Sequence, residues 1–301
     1  MSKPYWFDDL KTIGKMNKEE TESILKELEG GEPAVRGARI GLRKPLGVWP
    51  FNDRAWKHTA HAFGYIAPAG PGSGLVPITH AGNISADTSL QNSRITVTLD
   101  RFRVADYPGI GMHQVLFDFY GQNQVAGSAE NLHFNSAFRA MEGQGVAAIN
   151  YPIFVGLNVG TMGVSFKCYT INVKNDVDEA FLKALESDVF KAGLKLTTVL
   201  QPAIAPFSEM AVNLTKTVAS RNRNVPVQDF FMGLDFGTTA TGARLAVGSY
   251  MAVQIPEEST AVWDWNDWVY DMSTGQIRSK QDKEKLIPYN YIVFGVNKYP
   301  G

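Results

Sequence analysis

The stretch Gly145–Val173, GVAAINYPIFVGLNVGTMGVSFKCYTINV, is the most continuously apolar part of this chain. Its second half alternates, with Val164, Phe166 and Cys168 on one side and Ser165, Lys167 and Tyr169 on the other. A period of two sends the two sets to opposite faces of a sheet. In the first half, Val146, Ile149, Ile153, Phe154, Val155 and Leu157 form a nearly unbroken apolar run. Such a run suits a strand covered on both faces. Pro152 cannot donate to a ladder, so it points to an edge, a bulge or a break. The joint holds Asn158, Gly160 and Gly163, residues that accept turn conformations. The simplest reading is a hairpin at the centre of a sheet.

Working outward, strand patterns dominate the upstream side from Arg94. Ile95, Val97 and Leu99 alternate with Thr96, Thr98 and Asp100, and Val115, Phe117 and Phe119 with Gln114, Leu116 and Asp118. Residues 31–93 read as irregular and rich in Gly and Pro. Before them, Asn17 and Glu20 stand as N-cap and capping-box partner of a short helix with a stripe of Ile24, Leu25 and Leu28. Downstream, the pattern changes to a helical pair. Asp176 and Asp178 can cap the first helix, which runs to about residue 192. The second carries Leu200, Ile204, Phe207, Ala211, Leu214 and Val218 at spacings of four and three. Pro206 is tolerated only in its first turn, and Arg221 and Arg223 suit its C-terminal end. Strands resume over residues 227–236, 243–255 and 289–296, with a further strand at 263–270.

This order predicts a mainly β, α+β protein: an antiparallel β-sandwich, C2-like or jelly-roll-like in strand count, with a late-inserted helical pair and an N-terminal helix. Residues 1–60 form a helix and extended arm, and 61–301 a single sandwich domain with the helical insertion at about 176–223.

The chain has 301 residues, 44% of them hydrophobic, enough for a substantial core. Lys and Arg number 29 against 30 Asp and Glu, a net charge of −1. That balance gives no strong nucleic-acid signal, because such binding rests on excess positive charge. The single cysteine, Cys168, permits no internal disulfide and falls on an apolar strand face, as a buried structural thiol would. No stretch approaches the ~20 apolar residues of a membrane helix, and the N-terminus lacks the apolar segment of a secretory signal. A soluble, cytoplasmic protein is expected.

Four groups of residues could carry chemistry. The first is Val262–Tyr270, VWDWNDWVY, with Trp263, Trp265, Trp268 and Tyr270. Its aromatics hold much contact area with little conformational freedom, which suits a protein interface, or else the roof of the core. The second is Gly233–Thr241, GLDFGTTAT, with Asp235, Gly237, Thr238 and Thr239. These nine residues resemble the first phosphate loop of the actin-like and heat-shock chaperone ATPases. The resemblance implies a carboxylate that helps place a metal and Gly and Thr residues that hold phosphate. A plain β-hairpin is the competing reading. The third is His58 and His61, three apart, as metal ligands. The fourth is Asp118 and Asp235, carboxyls inside apolar strands, for which pairing with Arg103 or Arg244 would account.

No cofactor is implied. The leading expectation is a non-enzymatic binding or assembly protein whose partner is another protein or itself, as a homo-oligomer. The alternatives are a nucleotide- or metal-dependent enzyme using the Asp235 hairpin, and a membrane-active, pore-forming β-rich protein.

Overall fold

The computed structural model describes residues 7–29, 54–68, 74–125, 127–175, 177–178, 182, 185, 192–237 and 242–301. In chain order the helices are α1 (Lys18–Glu29) and α2 (Ile204–Ala219). The strands before the central stretch are β1 (Ala60–Ile66), β2 (Leu75–Pro77), β3 (Thr79–His80), β4 (Arg94–Arg103), β5 (Met112–Val125) and β6 (Ser128–Met141). Then come β7 (Gly145–Asn158), β8 (Gly163–Val173), β9 (Leu194–Lys195), β10 (Val225–Asp235), β11 (Ala243–Arg244) and β12 (Gly248–Ile255). The chain closes with β13 (Trp268–Asp271), β14 (Gln276–Ser279) and β15 (Tyr291–Lys298). The first expected insertion helix falls largely outside the described residues.

The fold is a β-sandwich-like α+β architecture. One sheet has the order β3-β1-β12-β15-β4-β7-β9, the second β11-β10-β8-β5-β6, and a small third sheet β14-β13-β2. The main core lies between the two large sheets, where Phe102, Phe117, Phe134, Phe154 and Cys168 are fully buried. Both large sheets are also covered on their outer faces. Leu116 and Phe117 are neighbours on opposite faces of β5, and neither has accessible surface. Outside the seven-stranded sheet, the small sheet and Trp265 cover Met251, Val253, Tyr291 and Val293. Outside the five-stranded sheet, Phe7, Leu182, Leu185 and Val218 cover Leu116, Tyr169, Ile171 and Val173.

The central stretch departs from the hairpin reading. β7 pairs with β4 in one sheet, whereas β8 pairs with β5 and β10 in the other. The joint carries the chain across the core from layer to layer. The inward faces of the two strands then meet across the sandwich, with the rings of Phe154 and Phe166 stacked at 6.5 Å. Apolar alternation reports that two faces meet, but not whether they lie side by side or face to face. Pro152 sits opposite Thr98 among three register shifts of the β4–β7 ladder, a bulged setting in which its missing donor is tolerated.

The region 31–93 is less irregular than its composition suggests. β1 lies there and pairs along its whole length with β12. Its sequence, AHAFGYI, carries a glycine in mid-strand, and the reason is packing. A Cβ on Gly64 would stand 2.7 Å from Ile78 and 2.9 Å from Met251. The N-terminal helix starts as its sequence predicts. The Glu20 backbone N–H donates to Asn17 Oδ1 at 2.8 Å, and the Asn17 N–H donates to Glu20 Oε2 at 2.9 Å. Its stripe of Ile24, Leu25 and Leu28 packs on the main core. No helix among the described residues is long and apolar enough to cross a membrane.

Candidate functional site

The alternation of β5 and β6 turns Asp118, His133 and Asn135 outward, beneath α2. Asp118 and Asn135 are directly opposed in the β5–β6 ladder. Ser208 and Thr215 face them from the helix, seven residues apart and both buried. His133 Nδ1 lies 2.9 Å from Asp118 Oδ1. The Thr215 hydroxyl donates to Asp118 Oδ2 at 2.9 Å, and Asn135 Nδ2 donates to Thr215 Oγ1 at 2.8 Å and to Asp118 Oδ2 at 3.1 Å. The His133 backbone N–H donates to Ser208 Oγ at 3.1 Å. The rings of Phe7 and Tyr120 flank His133. This network fixes α2 to the sheet, because a buried polar group stripped of its partners costs about 1–3 kcal/mol.

The network has one open position. Asn135 Oδ1 is enclosed and accepts no hydrogen bond. Asn135 also lines a cleft of about 940 Å³ beside α2, whose apolar wall includes Val177, Leu185, Pro206, Met210, Leu214 and Val218. Val177 is 68% exposed and Met210 50%. Glu209, Asp178 and Arg221 supply both signs of charge around it. Arg221 bonds the buried Asp178, which also accepts from Asn224 Nδ2 at 2.6 Å.

Sequence reading missed this site. The helix stripe is read from its apolar positions alone, which passes over Ser208 and Thr215, and nothing in the sequence around His133 sets it apart. The available signal was Asp118 on an apolar strand together with two hydroxyl residues seven apart on the helix face that must be buried.

The four aromatics of the expected segment gather in one cluster, with Trp263 edge-on against Trp265 at 5.4 Å. Trp265 is 4% exposed, and its indole N–H donates to the Phe63 carbonyl at 3.1 Å. Tyr270 is buried as well, while Trp263 and Trp268 are half-buried and stack on one another at 6.1 Å. Trp265 lies in a single helical turn and Trp268 begins β13, so Trp263 and Trp265 do not share a strand face.

Asp235 accepts from Arg244 Nη1 at 2.8 Å and from the Gly237 N–H at 3.1 Å, the pairing expected for it. Asp118, in contrast, is paired with His133 and not with Arg103, which lies in the other sheet. Thr238 and Thr239 lie outside the described residues.

His58 packs edge-on against Tyr289, and His61 lies tilted against Phe230. Burial above all lowers the His61 pKa to about 3. Among the described residues no three His, Cys, Asp or Glu side chains are placed to hold a metal. Cys168 is fully buried in the main core between the two large sheets, and burial raises its pKa well above the ordinary thiol value. A thiol held in that state is a poor nucleophile.

Compared with known protein families, curated proteins and solved structures, the chain matches none. The class defined by fold and site is therefore a β-sandwich-like α+β protein with a helix-walled apolar cleft.

Proposed function

We propose that this is a non-enzymatic assembly protein that contacts copies of itself through the cleft beside α2. The observation that carries the reading is the cleft's apolar wall, with Val177 and Met210 standing largely open beside a buried, unpartnered Asn135 oxygen. Exposed apolar surface rimmed by polar groups is the usual mark of an interaction site. The rim holds an acid and a base, Glu209 and Arg221. A patch with both signs can complement itself across a two-fold axis. A cytoplasmic setting belongs to the same proposal and draws support from Cys168 being a free, buried thiol.

Native mass spectrometry and light scattering test the reading. The expected result is a whole-number multiple of the chain mass that falls to the monomer in V177D and M210D, with the circular-dichroism spectrum unchanged. Both positions are exposed, so neither variant should unfold the chain. A monomer at every accessible concentration would refute self-assembly. An unchanged oligomer in both variants would move the contact elsewhere, and the half-buried Trp263–Trp268 stack beside exposed Val262 is the second surface to vary.

A further inference from the structure

Arg101 and Arg103 stand two residues apart on β4. Strand geometry puts such residues on one face, roughly 7 Å apart. That face is the outer one of the seven-stranded sheet, where Arg103 is opposite Tyr291 and Arg101 opposite Val293. Arg103 is only 6% exposed. Neither guanidinium has a carboxylate partner among the described residues, and the Nε–H of each is enclosed without an acceptor. Among the described residues, the hydrogen bonding of Arg103 amounts to one contact, Nη1 to the Gly143 carbonyl at 3.0 Å.

The acids that share this part of the fold are engaged otherwise. Asp100 accepts from Thr98 and Ser249, and Asp271 from Ser273 and Arg278. The Tyr291 hydroxyl lies by both guanidiniums and donates to the Gly275 carbonyl at 3.2 Å.

The arrangement is electrostatically unfinished. An isolated buried charge is costly, and two of one sign are costlier, unless an opposite charge completes them. The backbone is also shaped around them. A Cβ on Gly145 would meet Arg101 Nε at 2.8 Å, and one on Gly275 would meet the same side chain at 3.3 Å. The two glycines leave room for the Arg101 side chain. Arg101 keeps part of its surface in solvent, so the pair is open to a ligand from that side.

We infer that Arg101 and Arg103 form a binding site for a phosphate group. Two planar forks on the same outer face of one strand, both beside the Tyr291 hydroxyl, can supply donors to one ligand. A tetrahedral oxyanion offers acceptors to both, whereas a carboxylate is saturated by one fork.

The probe is inorganic phosphate, read by thermal unfolding and by phosphorus NMR line width, with sodium chloride and sodium acetate at matched ionic strength as references. The expected result is a saturable rise in Tm with phosphate alone. R101Q and R103Q should each weaken the apparent affinity at least about tenfold. R101K keeps the charge and loses the fork, so it should fall between wild type and R101Q. R278Q removes a nearby arginine that is already paired with Asp271, and should leave the phosphate response intact.

Should R103Q fail to fold, R101Q still decides, because the Arg101 side chain is partly exposed, and the circular-dichroism spectrum of R101Q shows whether loss of its contact with Tyr291 disturbs the fold. Equal stabilisation by chloride or acetate, or an undiminished phosphate response in R101Q, would overturn the assignment.

Discussion

His61 sits on β1 against the ring of Phe230, with its Nε2 enclosed and unpartnered. Burial, the largest cause, lowers its pKa from 6.5 to about 3, and burial likewise lowers that of His113 to about 4. The unfolded chain takes up these protons near pH 6.5, whereas the folded chain resists them until pH 3 to 4. The unfolded state therefore binds more protons in that window, and stability falls as pH drops through it. Stability is fully present above pH 6.5. Between pH 7 and pH 5 each histidine should remove on the order of 1–2 kcal/mol. Urea unfolding at the two pH values checks this, and H61L, which keeps an apolar contact with Phe230, should show a shallower loss. An unchanged slope in H61L combined with H113L would sink the assignment. At the same scale, Asp118 shows where sequence stops informing. Its place in an apolar strand announces that it needs a partner. The partner is His133 from the next strand, and Thr215 arrives from 97 residues further on.

At the scale of elements, the link between β7 and β8 separates two kinds of glycine. Gly163 has φ of +113°, and a Cβ there would fall 2.1 Å from the Leu234 carbonyl oxygen and 2.8 Å from Asp235 Cα. Those are backbone atoms of a paired strand and cannot step aside. Gly160 would meet only the Gln124 side chain, at 3.1 Å. G163A is expected to cost about 2 kcal/mol or more, and G160A less than about 1 kcal/mol. Thermal denaturation of the pair distinguishes a joint held by backbone crowding from one that only needs to be flexible, and equal losses would refute the crowding account. Elements with strong local signals were legible from sequence: the capping box of α1, the alternation of β5 and β8, and the stripe of α2. β1 was not, because its Gly64 answers to Ile78 and Met251 rather than to strand propensity. The sheet change after β7 was hidden for a related reason. Periodicity fixes which side of a strand is apolar, while pairing partners are set by residues far away in the chain.

Across the whole molecule, the sandwich is wrapped on both sides, and the two wrappings have different consequences. The α2 side carries polar bonds at its base and an open cleft at its edge. The small-sheet side closes over an apolar cluster in which Trp265 is packed among Ile66, Ile78, Met251 and Val253. This layering separates the structural and interaction roles that the aromatic segment could serve. W265A removes a buried indole together with its bond to Phe63, and a truncation of that kind costs about 3–5 kcal/mol. W268A strips a half-buried ring from a stack with Trp263 and should cost about 1–2 kcal/mol, within the range of ordinary substitutions. Denaturant unfolding measures both losses, and light scattering on the same samples reports assembly. If the segment is only a roof, W265A lowers stability and W268A leaves the oligomer mass untouched. If W268A instead dissociates the oligomer while its unfolding midpoint barely moves, the Trp263–Trp268 face is the contact between copies, and the cleft beside α2 is left free for another ligand.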